Sequence, residues 1–138
     1  MTLQGAAAVI FDEHGRVLLV KENYDRRRYG LPGGALEPGE SPEDAVVRET
    51  WEETGVEVAI DHLVGTYHRS DSGFTGYVFR CHIVTGTPAL PDGNEIAEVG
   101  WFDHARLPAP VTNLLHDALP DALRNARGVV RIGLPRVT

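Results

Sequence analysis

An α/β fold, a mixed sheet covered by helices, is the class that three features of this sequence predict. Strand-like segments lie on both sides of a central helix, that helix has well-marked ends, and a second helix stands near the C-terminus. With 138 residues, 42% hydrophobic and 24% charged, the chain has the size and composition of one globular domain spanning residues 1–138. No internal repeat or low-complexity tract divides it.

The elements follow in order. Ala6 to Phe11 is apolar, Asp12-Glu13-His14-Gly15 is a turn, and Arg16 to Lys21 is apolar again, which predicts a β-hairpin. The polar stretch Glu22 to Tyr29 leads to Leu31-Pro32-Gly33-Gly34, whose proline and glycines predict irregular backbone. A helix is expected over Pro42–Thr54. Ser41 is a good N-cap, Pro42 suits the first position, Glu43 and Asp44 favour the positive end of the dipole, and Gly55 can close the other end. Val56 to Tyr67, Thr75 to Val84 and Glu98 to Phe102 read as strands, separated by turns at Ser70 to Gly73 and Thr87 to Asn94. A second helix is expected over Val111 to Asn125, and the tail from Arg127 as an added strand or a frayed end.

Bulk properties narrow the function. A formal charge of −7 argues against a nucleic-acid binder, since affinity for phosphate backbones comes largely from clustered Lys and Arg. No apolar run approaches the roughly 18 residues of a spanning helix, and the start MTLQGAAAVI lacks the marks of a secretory signal, so no membrane is expected and the cytoplasm is the expected address. The single cysteine, Cys81, lies in a strand-like run and reads as a small buried hydrophobe. There is no G-x-S-x-G elbow, the six histidines lack ligand spacing, and no Gly-Lys-Ser/Thr follows Gly33-Gly34 as a Walker loop requires.

The central helix carries the chemistry. At about 100° per residue, Ala45, Arg48, Glu49, Glu52 and Glu53 share one side, and Val46, Val47, Thr50, Trp51 and Thr54 share the other, the expected packing face. Glu49 stands at i,i+3 from Glu52 and i,i+4 from Glu53, spacings at which like charges repel. Arg48 can relieve one charge by pairing with Glu52. The carboxylates left over suit a hard divalent ion such as Mg²⁺, which can bridge to a phosphate. Gly33-Gly34 just upstream lets backbone approach a metal-bound anion.

Together these positions resemble the signature of the Nudix hydrolase family. Gly34 is followed after five residues by Glu40, after seven more by Arg48-Glu49, after two by Glu52-Glu53, and after one by Gly55 and the aliphatic Val56. The motif covers residues 34–56, and Tyr29 to Gly33 and the flanking strands look like the family too. Thr50 departs from it where an aliphatic residue is preferred; lying on the packing face, it should affect fit rather than chemistry.

The resemblance implies an α/β/α sandwich with a mixed sheet and Mg²⁺-dependent cleavage of a phosphoanhydride bond, Mn²⁺ serving as a substitute. It implies that Glu49, Glu52 and Glu53, with the carbonyl of Gly33, bind the metal, that Arg48 and Glu40 support them, and that a carboxylate takes a proton from the attacking water. The candidates for that base are Glu49 and Glu53 on the helix and Glu95 or Glu98 before a late strand. Alternation from Ala97 leaves Glu95 in the loop, the better candidate, and puts Glu98 at the sheet edge.

Substrate recognition lies outside the motif. Arg28, in the run Arg26-Arg27-Arg28, and Asn113, in a segment similar to that where MutT-like members place a base-contacting asparagine, are the candidate substrate contacts. Asp71 stands where many ADP-ribose hydrolases have a proline, which favours a nucleoside triphosphate over ADP-ribose or a dinucleoside polyphosphate. The partner expected is thus a small nucleotide-type molecule, and a homodimer is compatible with the sequence. A Nudix-fold binding module without hydrolysis is the contrasting reading, opposed by the intact Glu49, Glu52 and Glu53. An isomerase on this fold needs a cysteine in the pocket, which Cys81 suits poorly.

Overall fold

The computed structural model of the protein describes residues 3–133. One sheet runs in the order β4 (Gly33–Ala35), β1 (Gln4–Val9), β6 (Phe74–Thr85), β5 (Glu57–Arg69), β8 (Val129–Ile132). A smaller one runs β3 (Tyr29–Gly30), β2 (Val17–Glu22), β7 (Ile96–Phe102). The larger sheet is mixed, because β1 runs parallel to β6 and β5 parallel to β8 while the other pairs are antiparallel.

Helices α1 (Pro42–Thr54) and α2 (Asn113–Leu123) cover opposite faces. Alternation along β1 sorts the two cores. Ala6, Ala8 and Ile10 pack with Ala45 and Val46 of α1, whereas Ala7 and Val9 pack with Leu115, Ala118 and Leu119 of α2. The result is the α/β/α arrangement expected.

Two expectations about the N-terminal half need correction. Around the turn, Asp12 N–H donates to Arg16 O at 2.9 Å and Leu18 N–H to Ile10 O at 3.0 Å, but the strands then part into different sheets rather than forming a hairpin. Both edges of β1 are already taken, by β4 and β6, so β2 pairs with β3 and β7 instead. The proline-glycine segment is also more regular than its composition suggests. Tyr29–Gly30 and Gly33–Ala35 form short strands, with Gly33 opposite Ala7 and Gly34 opposite Ala6.

Later elements agree with expectation except at their ends. The strand before α2 begins at Ile96, and α2 starts one residue after its N-cap Thr112, whose hydroxyl accepts from Leu115 N–H at 3.2 Å. The tail contributes β8, so the added-strand alternative describes Val129–Ile132; residues 134–138 lie outside the described residues. This strand is tied down through Asp121 of α2. Its buried carboxylate accepts from Tyr67 Oη at 2.8 Å, from Arg131 Nη2 at 2.6 Å and from Arg124.

Thr50 is fully buried, as expected of the packing face, and its hydroxyl has no hydrogen-bond partner. Cys81 is buried as well, and burial first, then the nearby Asp61, pushes its thiol up to about 12, far from a nucleophile's range. No helix among the described residues is long and apolar enough to cross a membrane.

Candidate active site

Helix α1 begins and ends where its caps dictate. Ser41 Oγ accepts from Asp44 N–H at 3.1 Å, and Gly55, at φ +78°, sends its N–H to Trp51 O at 2.8 Å. The helix is turned differently from the partition by polarity. Ala45 is buried with Val46, Thr50 and Thr54, while Trp51 is 60% exposed. The buried arc is therefore centred between Val46 and Glu53, with Glu49 and Glu53 inside it and Arg48 and Glu52 toward its solvent side.

Glycine makes that rotation possible. A Cβ on Gly34 would lie 2.6 Å from the Glu49 carboxyl carbon, and one on Gly33 would lie 2.2 Å from Ala6 O. Gly34 is thus the bare position against which α1 lays its Glu49 carboxylate, whereas Gly33 is bare because β1 lies against it. Gly33 N–H donates to Glu53 Oε1 at 2.8 Å and anchors the acid there.

The electrostatics of Glu40, Glu49 and Glu53 diverge. Burial pushes Glu53 up to about 8; the Gly33 bond opposes this, and Glu49, Glu95 and Glu52 add to it. Glu49 is raised by burial in part offset by Arg48, whose Nη1 donates to its Oε1 at 2.9 Å. Glu40 goes the other way, held at about 2 chiefly by the hydrogen bonds of Arg48. Arg48 reaches both Glu40 oxygens at 2.8 Å, Glu52 at 3.3 Å and Ala35 O at 3.2 Å, so one guanidinium links the motif's loop to its helix.

Glu49, Glu52 and Glu53 do not converge on one point as the helix spacing suggested. Among the described residues, no group of three or more His, Cys, Asp or Glu is arranged to hold a metal. Glu52 is turned to Arg48, while Glu49 and Glu53 face β4. In kind, however, the donors fit a hard divalent cation: all are oxygens, two are carboxylates drawn out of water, and Gly34 lets the Glu49 carboxylate lie against β4 near Glu53. Gly33, expected to offer its carbonyl, contributes its amide to Glu53.

Glu53, Gly33 and Gly34 line a cavity of about 270 Å³ together with Glu22, Tyr24 and Ile96. Glu95 precedes Ile96 in the loop, exposed, and its charge acts on both Glu53 and Tyr24. Asn23 holds that loop. Its N–H donates to Glu95 O and its Nδ2 to Asn94 O, each at 2.9 Å. Glu98 lies within β7 opposite Lys21, with Tyr29 Oη 3.5 Å from its carboxylate.

Arg28 and Asn113 stand elsewhere. Both line a separate polar cavity of about 310 Å³, shared with Arg69 and Asp71, and Arg28 is paired with Glu22 at 3.1 Å. Arg69 itself makes a buried ion pair with Asp117. The residues of this region that do line the Glu53 cavity are Thr112, the cap of α2, and Leu114. Glu22, Tyr24 and Thr112 were not singled out by the sequence. Alternation of Val20 with Glu22 at the end of β2 was the available signal for one of them, both lying on the cavity side.

Comparison with known proteins adds to this geometry. Residues 1–122 match the model of the NUDIX domain. A putative 8-oxo-dGTP diphosphatase of Bacillus subtilis is 41% identical over 108 residues, covering 78% of this chain and 71% of that protein. A MutT-like protein of Streptomyces ambofaciens is 36% identical over 125 residues, covering 91% and 79%. Among solved structures, a MutT NUDIX hydrolase from Burkholderia pseudomallei superposes with a TM-score of 0.79 at 29% identity, over 88% of this chain and 98% of the other.

Proposed function

From a chain that belongs to the NUDIX domain family and is a Nudix pyrophosphohydrolase, we propose a Mg²⁺-dependent enzyme that cleaves a nucleoside or deoxynucleoside triphosphate at a phosphoanhydride bond. The observation that carries this reading is the Glu53 carboxylate, set in the wall of a cavity where burial and three neighbouring carboxylates oppose its charge. An anion placed so is costly without a compensating cation.

Glu49, Glu52 and Glu53 would hold the cation, Glu52 by leaving Arg48. The metal, when bound, polarises phosphoryl oxygens and acidifies water. The chain's own residues do the remaining work. The Gly33 amide orients Glu53, the Glu40–Arg48 pair fixes the first turns of α1 against Ala35, and the cavity shields the reacting phosphates. Glu95, on its Asn23-clamped loop, accepts the proton of the attacking water; Glu49 and Glu53 are the alternatives on the helix. Arg28 and Asn113 contact substrate groups that extend beyond this cavity into the polar one.

The triphosphate reading is supported by the 8-oxo-dGTP diphosphatase similarity and by Asp71 in place of a proline. The test is a screen of nucleoside triphosphates, ADP-ribose and dinucleoside polyphosphates with Mg²⁺, quantifying the nucleotide products directly by ion-exchange chromatography. Triphosphates should give the highest kcat/KM, and EDTA should abolish turnover. Preference for ADP-ribose overturns the substrate, and turnover undiminished by EDTA overturns the metal.

A further inference from the structure

Glu22 is the second carboxylate of the Glu53 cavity, and it is held very differently. Its side chain is 14% exposed and lies at the end of β2 on the same side as Val20. Oε1 accepts two hydrogen bonds, from Arg28 N–H and Arg28 Nε, each at 3.1 Å. Oε2 accepts one, from Arg28 Nη2 at 3.4 Å. A carboxylate offers about four acceptor positions, two on each oxygen, so Oε1 is filled and Oε2 keeps one. Tyr24 shares the cavity, and its phenol is raised by burial and then by the Glu22 charge, which places that charge beside the same space.

We propose that Glu22 is a specificity-determining residue whose Oε2 accepts a hydrogen bond from an N–H or O–H on the nucleoside half of the substrate. A fixed anion that still has an acceptor position selects a donor and repels a phosphate oxygen. The phosphates therefore lie toward Glu53 and its cation, and the amino group of a base or a hydroxyl of the sugar lies toward Glu22. This assignment rests on the nucleotide reading above. It adds a polarity to the cavity, with one acid for the metal and one for a donor.

The residue also predicts what its amide would do. Arg28 presents only donors, so in Glu22→Gln the amide oxygen stays with Arg28 and the NH₂ turns to the cavity, replacing an acceptor by a donor. The experiment compares matched substrates that differ by one donor: dGTP with dITP and dATP with its 6-deamino analogue for the base, dGTP with its 3′-deoxy analogue for the sugar. In the parent, one member of at least one pair should have a KM lower by about tenfold, as fits a hydrogen bond to a charged group. In Glu22→Gln that ratio should collapse to about one, and the pair that responds tells base from sugar.

Parent ratios of one in all three pairs overturn the proposal, with no variant needed. So does a Glu22→Gln variant that loses kcat equally on every substrate, which assigns Glu22 to proton transfer. If the parent turns over no nucleotide, calorimetric binding of GMP, IMP and 3′-deoxy-GMP decides alone. Tighter binding of GMP than of at least one analogue, lost in Glu22→Gln, then upholds the Glu22 assignment while the proposed reaction fails; equal binding in the parent, or a preference that Glu22→Gln keeps, overturns the assignment.

Discussion

Glu53 and Asp121 are acids on the two helices, on opposite faces of one sheet, and both are withdrawn from solvent. Asp121 is surrounded by donors: Tyr67, Arg124 and Arg131 overcome its burial and hold it at about 2. Glu53 has the single amide of Gly33, other carboxylates as neighbours, and stands at about 8. The first is a joint between α2, β5 and β8, complete within the described residues. The second has one amide donor and lines a cavity, which is the arrangement the proposed metal role calls for.

The comparison breaks most sharply at Glu53. Glu53→Gln should lower kcat by at least about a hundredfold, because it removes charge needed most in the transition state, and Glu52→Gln by a similar factor. Folding should survive, and the metal-free Glu53→Gln protein should melt no lower than the parent, since an acid held up to about 8 is largely neutral at pH 7 and the amide oxygen can keep the Gly33 bond. Full activity in steady-state assays of either variant would return metal binding to other residues.

At Asp121 the readouts exchange places. Asp121→Asn should cost about 3 kcal/mol of stability in denaturant titrations, because Arg131 and Tyr67 lose a charged acceptor inside the fold. Its effect on kcat should stay within about twofold at a temperature where the variant is folded, for the network touches neither cavity. A large loss of kcat in a folded variant would erase the distinction between the two acids.

A smaller effect follows in pH. Asp121 has a folded value of about 2, below its ordinary 3.8, so its contribution is complete above about pH 4 and is lost as the pH falls through 2. That contribution is on the order of 2 kcal/mol. Acid unfolding of the parent should therefore be steeper over this window than that of Asp121→Asn. Curves of equal slope would show that the network does not hold the proton off.

The finest test concerns the carboxylates beyond the helix. Glu95→Gln should reduce kcat by about tenfold with little change in KM, as fits general-base action, and Glu98→Gln should do less. Glu95 is in a loop whose charge reaches Glu53, whereas Glu98 is fixed in β7 against Lys21 and Tyr29. A larger loss for Glu98→Gln reverses the assignment, and no loss in either moves the base to Glu49 or Glu53.

Much of this molecule was legible before its coordinates. The ends of α1 fell at Pro42 and Thr54 because Ser41, Pro42 and Gly55 act within one turn of themselves. The pairing of Arg48 with Glu40, Glu49 and Glu52 was legible for the same reason, as residues whose spacing on a single helix and its leading loop brings them near one another. Even the departure at Thr50 was placed on the packing face, where its hydroxyl is buried without a partner.

Other features depend on which distant segments meet. The hairpin at Asp12 to Gly15 gave way because β6 and β4, from later in the chain, occupy both edges of β1. The rotation of α1, which exposes Trp51 and draws Glu49 and Glu53 inward, depends on the bare Gly34 and the amide of Gly33 in a strand that only pairing with β1 creates. Glu22 and Glu53 share a cavity although 30 residues part them, and Arg28 and Asn113 share another. Capping, charge spacing and alternation are local interactions and are written in neighbouring residues. The facing of carboxylates, the division into two cavities and the completeness of a buried charge's partners arise from contacts between remote segments, and only the folded chain decides them.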